Sequence, residues 1–166
     1  MKKQELLNIL PLKQITVLLA EDHANFRKSL KLLVESDGDI EVMGEAKNGR
    51  EAVRLTKSLR PEVIVMDIAM PLLNGLQATQ QIMESCPQSR VLILSSHPDP
   101  EYVQQAMRSG ASGYLIKQSS TQALTQAIRE VLGGSTYFST SISQQLRDEC
   151  QQLFNKAELL KRRSAR

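Results

Sequence analysis

Ile64-Val65-Met66-Asp67-Ile68-Ala69-Met70-Pro71 is the stretch on which the reading of this chain turns. The short, almost unbroken apolar run Glu62–Met66 suits a strand buried on both faces, and a carboxylate, Asp67, follows it at once. Pro71 stands in the loop beyond, where a missing N–H donor costs nothing. Runs of the same kind recur at Ile15–Ala20, Ile40–Ala46, Val91–Leu94 and Ser112–Ile116. Helical patterns lie between and after them. Phe26, Leu30, Leu33 and Val34 share one face, as do Ala52, Val53 and Thr56. Leu76, Thr79, Gln80 and Met83 form a third such face, Val103, Ala106 and Met107 a fourth, and Leu124, Ala127, Ile128 and Val131 a fifth. Pro61, Pro71, Pro87, Pro98 and Pro100 fall at joints, and Gly110 and Gly133-Gly134 read as helix stops. Strand-then-helix units with short connections predict an α/β fold: a doubly wound, flavodoxin-like sheet of five parallel strands, with the second strand at one edge.

In such sheets ligands sit beyond the carboxyl ends of the strands. Glu21 and Asp22 follow the first run, Asp67 the third and Ser95 the fourth, while the fifth carries Tyr114 and ends in Lys117. Taken singly, each residue has an ordinary explanation. Asp67 suits a turn, and Glu21 and Asp22 suit the start of a helix. Tyr114 suits packing at a sheet edge, and the isolated His23 and His97 suit solvated or capping positions without metal-ligand spacing. Taken together, they bring three carboxylates, a hydroxyl and an ammonium to one end of the sheet. Crowded carboxylates repel by about 1–4 kcal/mol per pair at a surface-like dielectric. A hard divalent cation such as Mg2+ removes that conflict. Asp67 then suits an oxygen nucleophile toward a phosphoryl group, with Lys117 neutralising phosphoryl oxygens and Ser95 donating to the product phosphate.

Composition narrows the possibilities. The 166 residues are 41% hydrophobic and 23% charged, which excludes wholesale disorder. No apolar run approaches the roughly 20 residues that span a bilayer, and the first residues lack a signal-peptide core. Cys86 and Cys150 cannot build a disulfide framework, so reduced thiols in a cytoplasm are expected. With no Trp and 4% aromatics, a stacking platform for single strands is excluded. The net charge of +3 is carried by the ends: residues 1–13 sum to +2, residues 151–166 to +4, and the body between them is mildly acidic.

The strand-end residues, spread over five segments, resemble the receiver domain of bacterial two-component response regulators across residues 14–133. Val91-Leu92-Ile93-Leu94-Ser95 and Gly110-Ala111-Ser112-Gly113-Tyr114-Leu115-Ile116-Lys117 are most similar to receivers joined to LuxR-type helix-turn-helix domains. The resemblance implies that Asp67 accepts a phosphoryl group from the phosphohistidine of a sensor histidine kinase. Asp22, Asp67 and the backbone carbonyl of Ala69 would hold Mg2+, and Glu21 would bind it through water. Lys117 and Ser95 would meet the phosphoryl oxygens. Tyr114 would follow Ser95 inward and remodel the face of helix 4, strand 5 and helix 5, controlling dimerisation. Glu21 stands where Asp is commoner, and Gln118 follows Lys117 where many receivers have Pro.

Residues 1–13 then form a basic extension, and residues 134–166 a linker and C-terminal helix with a basic tail. Ile142, Leu146, Cys150, Leu153, Ala157 and Leu160 recur at spacings of 4, 4, 3, 4 and 3, a narrow seam that suits either a weak dimer contact or a helix folded back on the receiver. A helix-turn-helix domain needs further helices. The expectation is a chain cut before its output domain, which contacts DNA only through that domain, with a stand-alone receiver acting by protein contact as the alternative. A Mg2+-dependent phosphatase of the haloacid-dehalogenase type would need a proton-transfer group where Ala69 stands. A dinucleotide module would need glycines within Glu21-Asp22-His23-Ala24-Asn25.

Overall fold

The computed structural model describes residues 13–119 and 121–165. All of the basic extension except Lys13 lies outside the described residues, as does Arg166 of the basic tail. The strands are β1 (Ile15–Ala20), β2 (Ile40–Ala46), β3 (Val63–Met66), β4 (Arg90–Ser95), β5 (Gly113–Ile116) and β6 (Tyr137–Phe138). The helices are α1 (Ala24–Glu35), α2 (Gly49–Leu59), α3 (Gly75–Ser85), α4 (Pro100–Arg108), α5 (Thr121–Leu132) and α6 (Gln144–Ser164). All neighbouring strands pair in parallel, in the order β2-β1-β3-β4-β5-β6.

Alternation along the strands divides the core between the two faces of the sheet. Leu18, Ile64, Met66, Ile93 and Tyr114 point to the face covered by α2, α3, α4 and α6. Val17, Leu19, Val65, Leu92 and Leu115 point to the face covered by α1 and α5. Helix starts are set locally. The Asn48 and Asn74 side chains accept from the amides of Glu51 and Gln77 at 2.8 and 2.9 Å, and the Ser143 hydroxyl accepts from Leu146 N–H at 3.2 Å.

The sheet has six strands rather than five. β6 is only two residues long and carries no hydrophobic period, so nothing in the pattern announces it. It forms because Gly113 lets the chain approach: a Cβ at that position would lie 2.6 Å from the Tyr137 carbonyl oxygen. Two predicted helix faces are also rotated. Leu33 of α1 is 41% exposed. In α3, Ala78, Thr79 and Ile82 are buried, with Gln80 exposed and Leu76 and Met83 at the rim, because small residues let that helix sit close to the sheet.

α6 folds back on the sheet. Ile142, Leu146 and Cys150 join the core and Phe154 packs against it, whereas Leu160 is exposed. A straight α-helix drifts by about 20° per heptad from a 3.5-residue repeat, so the seam that starts on the core turns away from it. Cys86 and Cys150 are both free and buried.

Candidate functional site

Three of the candidate residues are each held by a ladder that runs one step past its strand. Glu21 N–H donates to Ala46 O (2.9 Å), Asp67 N–H to Ala20 O (2.9 Å) and Lys117 N–H to Ser95 O (2.8 Å). The backbones of β1, β3 and β5 are therefore tied across the carboxyl edge, and their next side chains converge. Gly75 at the start of α3 is part of the same construction: a Cβ there would lie 1.9 Å from the Asp67 carbonyl oxygen.

Lys117 Nζ donates to Glu21 Oε2 at 2.9 Å and lies 3.4 Å from Asp67 Oδ2, with all three side chains largely buried. The three residues stand 96 and 50 positions apart in sequence, yet one ammonium bridges both acids. Burial pushes the Asp67 carboxyl up, the charge of Glu21 pushes it further, and Lys117 only partly offsets them, so it rests at about 6. Burial also opposes ionisation of Glu21, but hydrogen bonds from Lys117 and His23 outweigh it and hold that carboxyl below its ordinary range. Burial works against the Lys117 ammonium, while the bond to Glu21 and the charge of Asp67 more than restore it and raise its pKa.

Asp22 completes the acid cluster. Its Oδ1 is buried and accepts no hydrogen bond, although His23 Nδ1 lies 3.1 Å away. Ligand atoms of Glu21, Asp22 and His23 fall within 4.8 Å of one another. A buried, unbonded carboxylate oxygen within 4.8 Å of a second carboxylate, Glu21, is a donor suited to a hard cation. His23 is exposed at the N-cap of α1, but its ring makes no cap: Nδ1 lies 2.8 Å from Glu21 Oε1. The hydrogen bond to Glu21 and the charge of Asp22 raise the His23 pKa.

Ser95 is buried at the end of β4, and its Oγ accepts from His97 N–H at 3.1 Å. Tyr114 is fully buried, and its hydroxyl donates to His97 O at 2.6 Å. The His97 ring stacks on Tyr102 of α4, with centroids 5.0 Å apart. Ala69 lies in the loop after Asp67 and is exposed.

Three residues that support the site from outside it were not legible in the sequence. Phe26 reads as part of a helix core face, yet Lys117 Nζ lies 4.9 Å from its ring centroid. Arg27 donates to the Glu21 carbonyl oxygen at 2.7 Å, fixing the turn that aims the acids. Ser139 follows β6, and its Oγ accepts from Ile116 N–H at 2.7 Å, one residue before Lys117.

Residues 17–129 match the family described as response regulator receiver domain. The chain is 35% identical over 145 residues to the transcriptional regulatory protein DegU of Brevibacillus brevis, covering 87% of this chain and 61% of that protein. It is 35% identical over 132 residues to the response regulator UvrY of Escherichia coli, covering 80% and 61%. Among solved structures, a LuxR-family two-component response regulator from Aurantimonas superposes with a TM-score of 0.78 at 32% identity, covering 82% of this chain and 98% of that one. The chain spans about three fifths of the length of these curated relatives. The match over the span that contains all the strand-end acids and Lys117 shows that the chain belongs to the receiver family of two-component response regulators.

Proposed function

We propose that Asp67 is the phosphoacceptor of this receiver. The observation that carries the reading is the Lys117 ammonium bridging Glu21 and Asp67 at 2.9 and 3.4 Å on the carboxyl edge of the sheet. A carboxylate oxygen of Asp67 attacks the phosphorus of a sensor kinase's phosphohistidine. The phosphorus–nitrogen bond breaks, its electron pair leaves with the imidazole, and an acyl phosphate remains on Asp67. Lys117 neutralises phosphoryl oxygens as they gain charge, and the Ser95 hydroxyl donates to the transferred group.

Asp22, Asp67 and the Ala69 carbonyl would hold Mg2+, with Glu21 reaching it through water. The buried, unbonded Asp22 oxygen and the raised pKa of Asp67 both suit such an ion. Bound there, the ion supplies Lewis-acid stabilisation of the phosphoryl oxygens and relieves the crowding of negative charge. The state of Asp67 is read through Ser95 and Tyr114 by the region of α4, β5 and α5. In the whole protein this region controls homodimerisation and, through an output domain like those of the LuxR-type relatives, contact with DNA in the cytoplasm. Residues 14–133 make up the receiver, with residues 134–166 leading to that output.

Incubation with Mg2+ and radiolabelled acetyl phosphate tests the reading. One acid-stable, base-labile label per chain is expected, lost in Asp67→Asn. Equal labelling of Asp67→Asn would overturn it.

A further inference from the structure

β5 is not the edge of this sheet. β6 pairs with it in parallel, Gly113 with Tyr137 and Tyr114 with Phe138, and α6 then covers the flank beside α4. Ser139 is the joint between this flank and the site. Its N–H donates to Tyr114 O at 3.0 Å, its Oγ accepts from Ile116 N–H at 2.7 Å and lies 3.2 Å from Ser119 Oγ, and its carbonyl accepts from Ile142 N–H at 3.0 Å. A single buried residue thus grips the switch tyrosine's backbone and the residue before Lys117, and leads directly into α6.

The contact of α6 with the body is concentrated near its start. Of its 21 residues only Leu146 and Cys150 are buried. Its polar tethers lie around that short apolar contact: Gln104 Nε2 donates to Glu149 at 3.4 Å at the surface, and Arg90 donates to the half-buried Glu158 at 3.2 Å. Short docking of this kind is what a displaceable element needs.

We propose that the partner of the α4–β5–β6 flank is α6 of the same chain, and that a phosphoryl group on Asp67 releases it, with Ser139 as the positioning residue that transmits the change. The inference rests on Asp67 being the phosphoacceptor. Ser95 leaving His97 N–H for the phosphoryl group loosens the β4–α4 loop, on which Tyr114 and Tyr102 also rest. Lys117 leaving Glu21 for the same group pulls the end of β5, and Ser139 with it. Both changes act on the surfaces between which the start of α6 is held.

Cys150, fully buried on the inner face of α6, is a built-in reporter. In the Cys86→Ser variant it is the sole thiol, and its reaction with dithionitrobenzoate reads the opening of α6. Mg2+ with beryllofluoride, which mimics the phosphoryl group, should speed that reaction roughly tenfold over Mg2+ alone. Amide exchange of residues 144–158 in the unsubstituted chain should rise in parallel, which keeps the test open if Cys86→Ser fails to fold. Adding Asp67→Asn should abolish the acceleration. Ser139→Ala should retain acetyl phosphate labelling of Asp67 yet lose the acceleration, and Ser139→Thr should recover it. Labelling at Asp67 with thiol reactivity and exchange unchanged would overturn this inference alone, whereas no labelling at Asp67 would overturn it together with the phosphoacceptor reading. Full acceleration in Ser139→Ala would remove Ser139 from the path.

Discussion

At the carboxyl edge, the protein concentrates more negative charge than its own cation neutralises. Lys117 serves both Glu21 and Asp67, and a buried oxygen of Asp22 is left without a hydrogen bond. The β6–α6 flank is held mainly by apolar packing: Ile142, Leu146 and Cys150 are buried and the backbone of Ser139 is fully paired, although Arg147 Nε is buried there without a hydrogen bond. The first region gives up stability for reactivity, since crowded acids are stabilised when a cation or a proton arrives. The second adds stability that a modest shift in its supports can withdraw. On the roles proposed above, the contrast separates where phosphoryl chemistry happens from where its consequence is read.

The sharpest way to break the comparison is to remove the cation. Chelation of Mg2+ should lower acetyl phosphate labelling at Asp67 by two or more orders of magnitude, because several kcal/mol of charge stabilisation is lost. Melting of the β6–α6 flank, followed by thiol reactivity of Cys150, should barely respond. Undiminished labelling in excess chelator would remove the metal from the site.

Leu146→Ala should act the opposite way. Deleting a buried leucine should cost about 2–3 kcal/mol in urea unfolding while leaving labelling within a few-fold of the original. Equal losses of stability and labelling would show that the two regions are not separable.

A pH series sharpens the electrostatic half. The Asp67 carboxyl holds its proton more tightly in the folded chain, with its pKa at about 6 against 3.8 when unperturbed. Its stabilising contribution is therefore complete below about pH 4 and lost as pH rises through about 6. Without Mg2+, Asp67→Asn should be more stable than the unsubstituted chain by about 1–3 kcal/mol at pH 7, and equal to it near pH 4. Mg2+ should narrow the gap at pH 7. A variant less stable at both pH values would show that the charge is not frustrated.

The smallest effect is expected in the loop between β3 and α3. Leu72 is 69% exposed and adopts a left-handed backbone with φ 68°. Leu72→Asn should raise stability by about 0.5–1 kcal/mol, because asparagine tolerates that conformation better. A loss instead would mean that the exposed leucine makes contacts that outweigh its strain.

Much of the molecule was legible because its signals are local. The apolar runs at Ile15–Ala20 and Ile40–Ala46 match β1 and β2 to the residue, and Asp67 directly follows β3. Since ligands in parallel sheets gather at carboxyl ends, naming the strands also named Glu21, Asp22, Asp67, Ser95 and Lys117 as neighbours. Illegible features depended on approach between distant pieces. The two-residue β6 has no period, and only the missing side chain of Gly113 makes room for it. His23 gave no metal-ligand spacing and Phe26 looked like core, yet both lie against the charges of the site.

Sequence alone determined five of the six strands, their winding and the set of charged residues at the carboxyl edge, because strand periodicity and the residue after each strand are properties of neighbouring positions. Only the tertiary structure decided that one ammonium bridges two acids, that a buried oxygen of Asp22 lacks a partner, and that α6 lies on its own sheet instead of extending its seam away. Those outcomes depend on distances and burial shared among segments far apart in the chain, where hydrogen bonds, desolvation and helix drift are settled together.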